Sequence, residues 1–202
     1  EKGGALLIDC GANVDAKPSN LVQFAQMGSI YMENICKVKN PKVGLVNIGA
    51  EEEKGNNLAK ETYQLLCNLE GINFIGNIEA REIPEGKADV VACDAFVGNV
   101  ILKMYEGVGG VLLKKVKGTL MTSLKTKIGA LLIKKELKET LKTFQMDQYG
   151  GAPLLGLKGL VVKTHGNSKA IEVKNSIIQC ISFKEMNIND KISKKLAVKK
   201  EN

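Results

Sequence analysis

Residues 88–94 read ADVVACD, and residues 95–99 continue the stretch as AFVGN. An unbroken apolar run closed by an aspartate fits a strand buried on both faces, the habit of parallel sheets. The same pattern appears in GALLID at 4–9 and in KVGLVN at 42–47, each followed by a loop of small polar residues. Helical patterning separates these runs, from Pro18-Ser19 to about Cys36 and from about Leu58 to Leu69, and a further short strand is expected over Ile72–Ile75. Strands alternating with helices predict an α/β fold with a mainly parallel sheet.

Downstream, helical periodicity runs from about Val97 to Phe144, and a glycine-rich loop YGGAPLLGLKG follows. A strand is expected at Leu160–Lys163 and a helix from about Ser168 to Phe183. One lobe therefore covers 1–183. The Lys/Asn-rich residues 184–202 read as a disordered tail.

In sheets of this kind ligands bind beyond the carboxyl ends of the strands, which singles out four loops. Asp9-Cys10-Gly11-Ala12-Asn13 offers an acceptor, a donor and close backbone approach, and reads equally as a strand-to-helix turn. In Gly49–Asn57 three carboxylates precede Lys54-Gly55 at a helix start. Such a lysine and helix N-terminus suit an anion, and Asn56 or Asn57 as helix cap is the plainer alternative. Asp94 with Gly98 and Asn99 supplies a general base and an amide, or simply a capped helix. His165, the only histidine, opens Thr164–Ser168 and is expected on the same sheet edge as the others. Gly150 and Gly151, after Tyr149, read first as a turn and second as a close approach to ligand.

Composition narrows the function classes. The chain has 202 residues and a formal charge of +7, carried by lysines apart from Arg81, while aromatics are 4% and Trp is absent. That balance argues against nucleic acid, which favours arginine forks and stacking platforms, and for an acidic protein partner or anionic membrane. The five cysteines lack CxxC spacing and read as reduced, buried and intracellular. No apolar run reaches the length expected of a membrane span, and one histidine with scattered cysteines makes no metal set. GxGxxG and GxxxxGK[ST] are both missing, so a dinucleotide site or a P-loop has no support.

Lys114–Lys142 holds nine lysines and two acids, with Leu120, Leu124, Ile128, Leu131 and Leu132 at helical spacing. Packing on a domain or partner, and lying on an anionic membrane, both fit such a stripe. Gly129 is the expected bend in this helical hairpin.

Taken in order, DCGAN, EEEKGN, CDAFVGN, YGGAPLLG and HGNS resemble the loops of the bacterial phosphate acyltransferases of phospholipid synthesis, from about Gly4 to about Ile181. The resemblance implies a three-layer α/β/α fold akin to isocitrate and isopropylmalate dehydrogenases and to phosphotransacetylases, with the helical hairpin protruding. It implies transfer of an acyl group from acyl carrier protein to inorganic phosphate, with no cofactor or metal. It further implies a homodimer, cytoplasmic and peripheral to the membrane, that delivers acyl phosphate to a membrane glycerol-phosphate acyltransferase. Carried over residue by residue, Lys54, Asp94 and His165 take catalytic roles. Asp9, Gly11, Asn13, Gly55, Asn57, Gly98, Asn99, Gly150, Gly151 and Ser168 contact phosphate or substrate. Leu120, Leu124, Ile128, Leu131 and Leu132 touch the membrane. Ala95 departs from the family's usual glycine, where a methyl is expected to crowd the backbone. Family members carry a further N-terminal segment, so the start at Glu1 reads as a cut through a longer protein. Acyl transfer from a small acyl-CoA, and a non-catalytic lobe, are the competing readings.

Overall fold

Val90 and Val91 are both sealed from solvent, and the strand they form, with strands on either side, sets the plan of this computed structural model, which describes residues 4–142 and 150–197. Four strands, β1 (Leu6–Ile8), β2 (Lys42–Val46), β3 (Asn73–Ile78) and β4 (Val90–Ala92), pair in parallel in the order β1-β4-β2-β3. The ADVVACD run is central, paired with β1 on one side and β2 on the other and buried on both faces, which its continuous apolar character reflects. All four carboxyl ends face the same way.

One face of the sheet carries α1 (Pro18–Asn34) and α2 (Asn57–Cys67), joined in the main core by Leu45, Val43 and Val90. Pro18 starts α1 at the first helical position, where its missing N–H costs nothing. Gly28 lets α1 settle on the central strand, since a Cβ there would lie 2.4 Å from Val90 Cγ1. A smaller cluster of Ile78, Ala88 and Val91 closes the other face, and α3 (Ala95–Leu120) contacts β1. The α/β architecture, parallel sheet and flanking helices match the class expected from the sequence.

The expectations need revision in five places. The helical region is three helices: α3, then α4 (Leu124–Leu132) and α5 (Lys134–Lys142), broken at Met121–Ser123 and at Ile133 rather than at Gly129. Ser123 caps α4 through its side chain, accepting from Thr126 N–H at 3.1 Å, so cap chemistry sets the turn. Residues 143–149, including Tyr149, lie outside the described residues.

Second, the late apolar run does not enter the main sheet. It forms β6 (Val162–Lys163), antiparallel to β5 (Ala152–Pro153) in a separate ribbon. Third, the part of the tail within the described residues is helical up to Ala197. After α6 (Ala170–Glu185), Ile188 and Ile192 of α7 (Ile188–Ala197) are 0% and 2% exposed and pack with α1 in the main core. Fourth, of the five free cysteines only Cys93 is buried, while Cys36 and Cys67 are exposed. Fifth, α3 is long and apolar enough to cross a membrane by length and composition, although Lys103 and Glu106 interrupt its apolar run.

Candidate functional site

The loop after β1 is organised by its own aspartate. Asp9 is buried, and its carboxylate accepts the N–H groups of Gly11, Ala12 and Asn13 at 2.9, 2.9 and 2.8 Å, plus Asn13 Nδ2 at 2.7 Å. Burial raises its pKa, but these four donors outweigh burial and hold it below the ordinary carboxylate range. Asp9 is thus the keystone of the loop, and Asn13 has committed one of its two amide hydrogens to it. The exposed positions Gly11, Ala12 and Asn13 form the outward rim.

The start of α3 is pressed against this loop. A Cβ on Gly98 would lie 1.9 Å from the Asp9 carbonyl oxygen, so only glycine fits at this crossing. One turn in, Asn99 donates from Nδ2 to the Cys10 carbonyl at 3.0 Å. Asp94 caps the helix, with both Phe96 and Val97 N–H bonds falling on Oδ1, which leaves Oδ2 open. Ala95, the departure from glycine, is buried in the first turn of α3. Burial, then the Asp9 charge, pushes the Cys10 thiol up to about 11, and burial pushes Cys93 higher still. Neither is a thiolate nucleophile at neutral pH.

The loop after β2 lies at the same edge, because β2 pairs with β4. Gly55 adopts φ +93°, and Asn56, rather than Asn57, caps α2 by accepting from Ala59 N–H at 2.9 Å. Lys54 is solvent-exposed just before that cap, and Asn57 is the first helical residue. A cation, a left-handed glycine and a helix N-terminus in four residues make an anion-receptive corner.

His165 is not carried by the main sheet. It follows the ribbon strand β6, is exposed, and its described bonds stay within its own loop: Asn167 N–H donates to Nδ1 at 3.4 Å and Ser168 N–H to its carbonyl at 3.0 Å. The expectation of a shared sheet edge therefore fails for His165 and Ser168, because β6 pairs with β5 instead. Gly150 and Gly151 serve close packing. Their Cβ atoms would meet Ser176 N at 2.8 Å and the Lys163 carbonyl at 2.6 Å, which ties the ribbon to α6. Sequence reasoning passed over Asn47 and Asn77, whose amides bond the Lys54 and Glu51 carbonyls. An asparagine ending a strand carries no signal beyond that of a turn former.

A sequence model of the family described as fatty acid synthesis protein matches residues 1–191, a span that contains all three strand-end loops. The chain belongs to that family. Within the fatty acid synthesis protein family it is similar to a protein named phosphate acyltransferase from Clostridium novyi (strain NT), 53% identical over 192 residues, covering 95% of this chain and 58% of that one. A phosphate acyltransferase of Clostridium acetobutylicum is 52% identical over 191 residues, covering 95% and 57%. One from Alkaliphilus oremlandii (strain OhILAs) is 50% identical over 192 residues, again covering 95% and 57%. The chain spans a little under three-fifths of the length of the curated relatives it matches.

Proposed function

We propose that this chain contributes the phosphate-holding part of a phosphate acyltransferase that makes acyl phosphate from acyl-acyl carrier protein for phospholipid synthesis. The observation that carries the reading is the gathering of the β1, β4 and β2 loops at one sheet edge, with Lys54 and Gly55 before the α2 cap. Relatives about half identical bear the name of that activity.

In the reaction a phosphate oxygen attacks the thioester carbonyl, the carbon–sulfur bond breaks, and the departing thiolate takes a proton. Lys54 offsets the charge of phosphate and of the tetrahedral oxyanion, and backbone N–H groups near Gly55 orient it. The remaining amide hydrogens of Asn13 and Asn99 line the neighbouring rim. Asp94 is a better proton carrier than His165, because its open Oδ2 belongs to the same edge as Lys54. The lysine excess suits an acidic carrier protein.

Thiol release that depends on phosphate, run on this chain and on the complete product of its gene, tests the assignment. Lys54→Ala is expected to lower kcat/KM by roughly 10²–10³ with the carrier-protein thioester, the range for losing one oxyanion partner. Near-normal turnover by Lys54→Ala would remove Lys54 from the mechanism. A preference for acetyl-CoA over the carrier-protein thioester would favour small acyl-CoA transfer.

The hairpin of α4 and α5 is proposed to rest on an anionic membrane, placing the enzyme at the cytoplasmic membrane surface beside the acyltransferase that consumes acyl phosphate. Leu124, Ile128, Leu131 and Leu132 are exposed on α4, and lysines surround them. Flotation with anionic vesicles should fall several-fold on Leu124→Glu and Leu131→Glu. Unchanged flotation would assign those leucines to protein packing.

A further inference from the structure

Two asparagines hold the Glu51–Gly55 loop from adjacent strands. Asn47, just past β2, donates from Nδ2 to the Lys54 carbonyl at 2.9 Å and accepts the Ile48 N–H on Oδ1 at 2.8 Å. Asn77, inside β3, donates from Nδ2 to the Glu51 carbonyl at 2.9 Å. The two grow from one rigid pair of strands, with Leu45 opposite Asn77 and Asn47 N–H bonded to the Ile78 carbonyl at 2.9 Å. The loop is closed tightly over them, since a Cβ on Gly55 would meet Asn47 Oδ1 at 2.3 Å.

A planar trans peptide points its C=O and the next N–H in opposite directions. Holding the Glu51 carbonyl inward therefore aims the Glu52 N–H outward, and holding the Lys54 carbonyl inward does the same for the Gly55 N–H. Neither N–H has an acceptor among the described residues. Two outward amides in the same loop as a lysine offer an anion donors beside a positive charge. Asn77 also sits where stability alone would select an apolar residue: it is 3% exposed, and its Oδ1 is buried with no partner among the described residues. Such an unmet acceptor is a net cost to the fold.

We propose that Asn47 and Asn77 are positioning residues that hold the Glu51–Gly55 loop in the form that receives phosphate. The proposal rests on the reading of the Lys54–Gly55 corner as the phosphate site. Both amides act through the backbone of the loop, by aiming N–H groups at the anion.

The test separates holding the loop from holding the fold. Asn77→Leu removes the buried orphan oxygen together with the clamp, so its melting temperature should equal or exceed that of the wild type. Asn47→Asp keeps the acceptor for Ile48 N–H and loses the donor to Lys54. Inorganic phosphate is titrated into the labelled protein, and the amide signals of Glu52 and Gly55 are followed. Both signals should shift in the wild type, and each variant should bind phosphate about tenfold more weakly, the equivalent of one lost hydrogen bond in a preorganised site. Wild-type affinity in both variants would overturn the clamp. A wild type whose loop signals ignore phosphate would instead sink the phosphate reading, and amide exchange then decides the clamp. Faster exchange at Gly55 in Asn77→Leu supports it, and unchanged exchange overturns it.

Discussion

Gly98→Ala is expected to destabilise the protein by about 3 kcal/mol, at the upper end of what overpacking costs. The added methyl would stand 1.9 Å from the Asp9 carbonyl oxygen and 2.9 Å from the Cys93 sulfur. The carbonyl cannot retreat easily. Asp9 N–H bonds the Cys93 carbonyl at 3.0 Å, Cys93 N–H bonds the Ile8 carbonyl at 2.8 Å, and the Asp9 side chain gathers its own loop. The helix must move instead, and it takes with it the Asn99 bond to Cys10. Alanine's higher helix propensity, worth up to about 1 kcal/mol, is too small to offset this. For a protein of this size the melting temperature should drop by roughly 6–12 °C. Amide signals of Gly11–Asn13 should shift with it. A melting temperature within 2 °C of wild type (an effect below about 1 kcal/mol) would show that α3 does not press on β1 as described.

Ile192→Ala should cost about 2–4 kcal/mol, as expected for emptying a well-packed aliphatic site. Ile192 is 2% exposed and shares the main core with Ile188, Met32 and Phe183. A residue in a disordered tail would contribute nothing on unfolding. Chemical denaturation with Ser193→Ala as the exposed control decides the matter, and equal midpoints for the two variants would return α7 to a frayed end.

The α7 case shows what was legible and what was not. Ile188, Ile192 and Leu196 recur at helical spacing, but the surrounding Lys and Asn lower the average hydrophobicity, and composition alone led to a disordered tail. Three of the four parallel strands were readable as continuous apolar runs, and the fourth, β3, was expected over Ile72–Ile75 but runs Asn73–Ile78. The Asp9, Lys54 and Asp94 loops were readable because parallel strands place their carboxyl ends together. His165 was misplaced for the converse reason: an apolar pair such as Val161-Val162 does not announce its partner. β5, at Ala152–Pro153, contains a residue that cannot donate to a ladder and gave no strand signal. Asn47 and Asn77 escaped notice because their role lies in carbonyls several or many residues away.

Helix α3 has a geometric consequence of its own. Asp94 caps one end of it at the sheet edge, and the break at Met121–Ser123 ends it before α4. Twenty-six helical residues at 1.5 Å of rise make a strut of roughly 39 Å. That strut is a ruler. Each residue gained or lost in it would turn the lysine-bearing end by about 100° relative to the aspartate end, so distance and azimuth between the two ends are fixed by a single count of residues.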